Sequence, residues 1–193
     1  MEILPFLVLP FLASLILTGI HAYLGVHVVE RGVIFVDLAL AQIAALGATI
    51  AILVGMDPHG TSAYWISLAF TFMGALIFSF VRSATARIPL EAIIGIAYAV
   101  ASAAAILAMS KATGETEHLK DMLVGNILSV NAATVIKTAI LYALVGLFHF
   151  IFRKKFLAIS LGDTIPNIKL WDFLFYTSFG FVVTSSVAIA GEE

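Results

Sequence analysis

The sequence of 193 residues contains no cysteine, which excludes disulfides, iron–sulfur clusters and zinc–thiolate sites. Charge is scarce as well. Ten Lys or Arg and twelve Asp or Glu make up 11% of the chain, where a water-soluble domain carries roughly a quarter. So few polar groups cannot cover a globule in water, which excludes an ordinary soluble enzyme and a disordered linker. The formal net charge of −2 supplies no basic field, and this excludes a nucleic-acid binder. Enzyme signatures are also missing: there is no His-Glu-x-x-His, no Gly-x-Ser-x-Gly and no Gly-x-x-x-x-Gly-Lys loop. Any ATP hydrolysis by a P-loop must therefore come from another chain. What the sequence does hold is apolar: 62% hydrophobic residues and a mean hydropathy of +1.10. The expected fold is an all-α polytopic membrane protein, residues 1–193 forming one transmembrane domain.

A spanning helix needs roughly 20 mostly apolar residues. Six segments qualify: 3–29, 33–55, 64–81, 90–110, 132–152 and 171–190. The runs are continuous, unlike the short alternating segments of a β-barrel. Met1-Glu2 carries no basic residue and the first run is longer than a signal core, so it reads as a retained helix. The stretch 121–130 is apolar but too short to span and is interrupted by Gly125 and Asn126. It reads as a short re-entrant or interfacial helix. The first, third and fifth links hold Arg31, then Arg82 and Arg87, then Arg153, Lys154, Lys155 and Lys169; the second and fourth hold only Lys111 and Lys120. Positive residues stay inside, so the odd links are expected in the cytoplasm and both termini outside.

Polar groups inside lipid are expensive, and they mark candidate sites. Asp37 lies in the second segment with Gln42 five residues on, about 140° around a helix. A carboxylate and an amide oxygen are hard ligands suited to divalent cations. The alternative is an Asp solvated at the interface beside Arg31. Glu91 follows Pro89 at the start of the fourth segment; it either serves an ion path or favours the helix dipole there. His21 and His27, six residues apart, do not share a helix face, so each reads as a hydrogen-bonded interfacial histidine, as does His149. Gly95 with Ala99 is a small-xxx-small pair that favours close helix packing.

Four stretches carry a family resemblance. They are Gly19-Ile-His-Ala-Tyr-Leu-Gly-Val-His-Val-Val-Glu-Arg31 with Phe35-Val-Asp37 and Ala-Leu-Gly47; Glu91-Ala-Ile-Ile-Gly-Ile96; Leu123-Val-Gly-Asn-Ile-Leu128; and the polar stretch 160–172. In their order and spacing the chain resembles the membrane permeases of bacterial and archaeal ABC importers for zinc, manganese and iron. The resemblance implies a permease subunit of an ATP-driven importer in the plasma membrane. Two permease copies would enclose the path, cytoplasmic ABC ATPase subunits would drive it, and an extracytoplasmic metal-binding protein would deliver the ion. The divalent metal is then substrate, and no cofactor is expected on this chain. Asp37, Gln42 and Glu91 are the candidate path residues. Asp163, Thr164, Ile165, Pro166 and Asn167 fall where the family contacts its ATPase; the plainer reading of this stretch is a solvated turn around Pro166.

Two departures accompany the resemblance. The family's second helix carries an Asp followed four residues later by a His. Asp37 matches the Asp, but Ala41 stands at the His position with Gln42 beside it, and an amide suits zinc less well than imidazole. Family members also continue through further helices beyond the match to residues 185–191, so the chain is expected to be incomplete at its C-terminus. Two other functions fit the composition: a cobalamin or iron-chelate permease, and a non-transporting, truncated membrane interaction protein.

Overall fold

The computed structural model describes residues 3–57, 60–84, 88–111 and 127–191. Among them are seven α-helices: α1 (Ile3–Glu30), α2 (Val36–Leu53), α3 (Thr61–Ala84), α4 (Leu90–Met109), α5 (Ala132–Ile151), α6 (Arg153–Ser160) and α7 (Ile168–Gly191). The fold is all-helical, as the composition requires in a solvent that offers the backbone no hydrogen bonds.

Glycine sets three of the helix ends. Gly32, Gly55 and Gly162 adopt φ of +65°, +82° and +87° just beyond α1, α2 and α6. In each case two backbone bonds close the last turn, as when Val33 N–H donates to Val28 C=O and Gly32 N–H to Val29 C=O. A side chain at these left-handed positions would be strained, so glycine stops the helix where it stands. At the other end of α5, the Asn131 side chain accepts from Thr134 N–H at 2.9 Å and caps the helix.

The five helices α1 to α5 each contain a stretch long and apolar enough to cross a membrane. Helix α7 has 24 residues, with Lys169 and Asp172 near its start and a polar series from Thr177 to Ser186. Helix α2 is central and packs on α3 and α4, and α3 packs on α7. Gly47 lets α2 and α3 touch: a Cβ there would meet the Ser67 backbone at 2.9 Å. Leu24, Val36, Leu40, Phe78, Ile94, Phe175, Tyr176 and Val182 form the core. Large apolar side chains such as Phe11, Val26, Leu107, Leu144 and Phe150 face outward, as expected where the solvent is hydrocarbon.

The structure adds detail to two of the links. The fifth link contains a helix, α6. Phe156 and Ile159, three apart on one face, are buried, while Arg153, Lys154 and Lys155 are exposed; with only eight residues and three cations it escapes an apolar search. Of the stretch 121–130, residues 121–126 lie outside the described residues, and Ile127–Ser129 forms a single 3-10 helical turn. The fourth link likewise lies almost wholly outside them.

Candidate functional site

The six long helices alternate in direction, so α1, α3 and α5 finish at one end of the bundle, where α2, α4 and α7 begin. Three cross-links fix this basic end. Arg31, just past α1, donates to Asp172 of α7 at 2.9 Å. Phe35, leading into α2, donates its N–H to the Glu91 carboxylate of α4 at 3.0 Å. Ser79 of α3 donates to Lys169 C=O of α7 at 2.8 Å.

The first link is a buried ion pair: the Arg31 and Asp172 side chains are 0% and 2% exposed. Such a pair persists only if its donors are also used. Arg31 Nε donates to Ser160 Oγ at 3.0 Å, and its guanidinium lies 3.8 Å from the Phe175 ring centre. Ser160 Oγ sits 2.8 Å from His27 Nδ1, so one arginine ties together α1, α6 and α7. Beside it runs a directional chain. Ser178 gives its hydrogen to Phe175 C=O at 2.9 Å, so His149 Nε2–H must donate to Ser178 Oγ at 2.8 Å. That leaves His149 Nδ1 to accept from the Tyr23 hydroxyl at 3.4 Å. The imidazole is fully buried and stacks on Phe156 at 4.2 Å. His149 and His27 are thus buried, hydrogen-bonded histidines at this end of the bundle.

Midway along the bundle a second polar node joins α1, α5 and α7. The Tyr142 hydroxyl lies 3.0 Å from Ser186 Oγ and 3.1 Å from Ser185 Oγ, and Ser186 Oγ lies 3.3 Å from His21 Nε2. His21 Nδ1–H donates to Leu17 C=O at 2.8 Å, which orients Nε2 toward Ser186.

The candidate path residues are only partly gathered. Asp37 and Glu91 occupy the first turns of α2 and α4, adjacent helices that run in the same direction. Each carboxylate sits in a helix N-terminal field, where negative charge is favoured. Glu91 spends one oxygen on the start of α2, not on its own helix; its Oε2 is buried with no hydrogen-bond partner among the described residues. Asp37 is half-buried and within Coulombic reach of His21. Gln42 is half-buried further along α2. Among the described residues no three His, Cys, Asp or Glu side chains converge as a metal-holding group.

The stretch 160–172 is not a uniform polar loop. Its ends, Ser160 and Asp172, are buried in the arginine network, and the exposed part is residues 161–164, Pro166, Asn167, Lys169 and Leu170; Ile165 and Ile168 are half-buried. The connector is well defined. Asp163 N–H donates to Ala158 C=O at 2.8 Å, and Asn167, at φ +58°, accepts from Leu170 N–H at 2.9 Å as α7 begins. Sequence reading missed Asp172. The signal was there: an acid inside one apolar segment and an arginine ending another is the pairing expected of charges held in lipid.

The model of the family described as the ABC 3 transport family matches residues 4–191. The chain belongs to this family. It is accordingly a multi-pass integral membrane protein, in keeping with its apolar helices. Its fold resembles PsaBC from Streptococcus pneumoniae, solved in complex with Fab, with a TM-score of 0.69 at 20% identity over 96% of this chain and 66% of that one. It also resembles a protein described as a metal-chelate type ABC transporter in an inward-facing conformation, with a TM-score of 0.72 at 19% identity over 95% of this chain and 62% of that one. The chain thus spans just under two thirds of the length of these neighbours. No curated protein matches it in sequence.

Proposed function

We propose that this chain is the transmembrane permease part of an ATP-driven importer of divalent metal ions, forming the path with a second copy. Membership in an ABC transport family supports the class. The observation that carries the cation is the Glu91 carboxylate, whose buried Oε2 lacks a hydrogen-bond donor among the described residues. A buried carboxylate oxygen without a donor calls for an ion or water, and Asp37 opens the adjacent parallel helix. Gln42 adds an amide oxygen further along α2. Hard oxygen donors favour manganese- or iron-like ions over zinc.

In this reading the seven basic residues of the odd links face the cytoplasm of a bacterial or archaeal cell, and both termini of this chain face out. The energy comes from a separate ABC ATPase that contacts Asp163, Thr164, Ile165, Pro166 and Asn167. The anchoring of this connector favours such a role: α6 and α7 on either side of it are joined through Ser160, Arg31 and Asp172 to the end of α1. A push on it moves three helices together rather than bending a loop. The ion itself is delivered by an extracytoplasmic binding protein.

Uptake of radiolabelled manganese, iron and zinc by cells expressing the full transporter tests this. Asp37→Asn and Glu91→Gln keep side-chain shape and remove charge, so each is expected to cut uptake at unchanged expression. Wild-type uptake by both variants overturns the assignment. A second reading, a metal-chelate or cobalamin cargo, is favoured by the lack of a three-ligand cluster among the described residues. Inhibition by a chelate but not by free ions selects it.

A further inference from the structure

A groove of about 600 Å³ runs between α1 and α5 and reaches α6. Ile16, Ile20, Ala139, Ala143 and Leu157 supply apolar walls. Gly19 and Gly146 border open space in it; a Cβ at either would meet nothing within 4 Å. From Ile16 to His27, α1 rises about 16 Å, roughly half of a 30 Å hydrocarbon core. The groove thus has the depth of one leaflet. Its polar groups are unevenly placed. Tyr142 lies midway, and Tyr23, His27 and Arg153 gather at one end.

That end is cationic. Arg153, Lys154 and Lys155 are consecutive and exposed, no acidic residue follows until Asp163, and they outnumber Glu30, the exposed acid that ends α1. Arg153 is held at the mouth: it donates to Phe150 C=O at 3.1 Å, and its guanidinium lies 4.6 Å from the Phe150 ring centre. A guanidinium has five donors, so this bond does not exhaust it. The C-terminal end of α5 falls at the same place, where its dipole favours cations.

We propose that this groove binds one anionic phospholipid, with an acyl chain along α1 and α5 and the phosphate on Arg153, Lys154 and Lys155. The charge complementarity selects an anionic headgroup over a zwitterionic one. An apolar channel one leaflet deep, ending in a basic cluster at the membrane boundary, fits a lipid that lies in the bilayer. The inference needs the chain to span a membrane and this groove to face lipid in the assembled transporter; it is independent of the cargo and of which end faces inward.

Native mass spectrometry of the transporter, purified in mild detergent and supplied with phosphatidylglycerol or phosphatidylcholine, tests it. Wild type is expected to keep one phosphatidylglycerol per copy of this chain, preferred about tenfold or more over phosphatidylcholine. Arg153→Ala/Lys154→Ala/Lys155→Ala should abolish the preference, and Gly146→Leu, which fills the groove, should abolish the adduct. Equal retention of both lipids by wild type overturns the proposal, as does a preference that survives either variant. Should a variant fail to fold, phosphatidylglycerol with a photoreactive acyl chain is used on wild type. Labelling at Gly19, Ala139, Ala143 or Gly146 supports the site. Labelling confined to other helices, or cross-linking of these positions to another protein chain, contradicts it.

Discussion

Replacing Asp172 by Asn keeps the shape of the side chain and leaves Arg31 charged, buried and without its counter-ion. Both side chains are at most 2% exposed, so water does not screen the pair and little can enter to replace it. At roughly 4 Å between charge centres, the lost attraction is about 4 kcal/mol at an effective dielectric of 20. The Arg31 bond to Ser160 and the Phe175 ring remain, but they cannot neutralise a full charge. Breaking one side of a buried pair costs about 3–5 kcal/mol, a fall of roughly 6–20 °C in melting temperature for a chain of this size. Trp171 gives the readout, since it packs against Phe152 and Phe156 at 5.1 and 5.7 Å. In a Trp65→Phe background, which removes the other tryptophan, its fluorescence during thermal unfolding in lipid-containing detergent reports on this end. The double variant Arg31→Met/Asp172→Leu removes both charges and should be more stable than either Asp172→Asn or Arg31→Met, because an apolar replacement of a buried pair is often neutral. Single variants that melt within about 1 kcal/mol of wild type, or a double variant whose loss is the sum of the singles, would refute the reasoning.

Three further outcomes follow from the geometry. Gly47→Ala places a Cβ 2.9 Å from the Ser67 backbone and should cost about 1–3 kcal/mol in thermal unfolding by forcing α2 and α3 apart. Glu91→Ala removes the acceptor for Phe35 N–H and should cost about 1 kcal/mol, whereas Glu91→Gln keeps an acceptor oxygen and should lose transport rather than stability. Asn167 has φ +58°, so Asn167→Gly should be tolerated and Asn167→Val should cost about 1–2 kcal/mol, again read by melting.

Much of the fold was legible because membrane helices announce themselves by length and hydropathy. All six long segments are helical, with ends shifted by a few residues: the second begins at Val36 rather than 33, because Gly32 forces the chain out of α1 first. Helix α6 was not legible, since two buried apolar side chains in eight residues leave no hydropathy signal. The partner of Arg31 was not legible from its place in the sequence. Beside Asp37 it looked like a neighbour in a loop, but its paired carboxylate is 141 positions away on α7. Glu91 shows the same limit. Its place in the first turn of α4 was readable, while its bond to the start of α2 depends on which helices pack together.

The central claim is that a separate ATPase works through the connector between α6 and α7. The most direct measurement is to recover the tagged chain from its native membranes in mild detergent and identify what accompanies it by mass spectrometry. The account predicts a P-loop ATPase that is recovered with the wild type and lost when Asp163, Thr164, Ile165, Pro166 and Asn167 are replaced by Gly and Ser in a chain that still reaches the membrane. Wild-type chain that comes from well-solubilised membranes without an ATPase, or an ATPase that stays with the replaced connector, would contradict it.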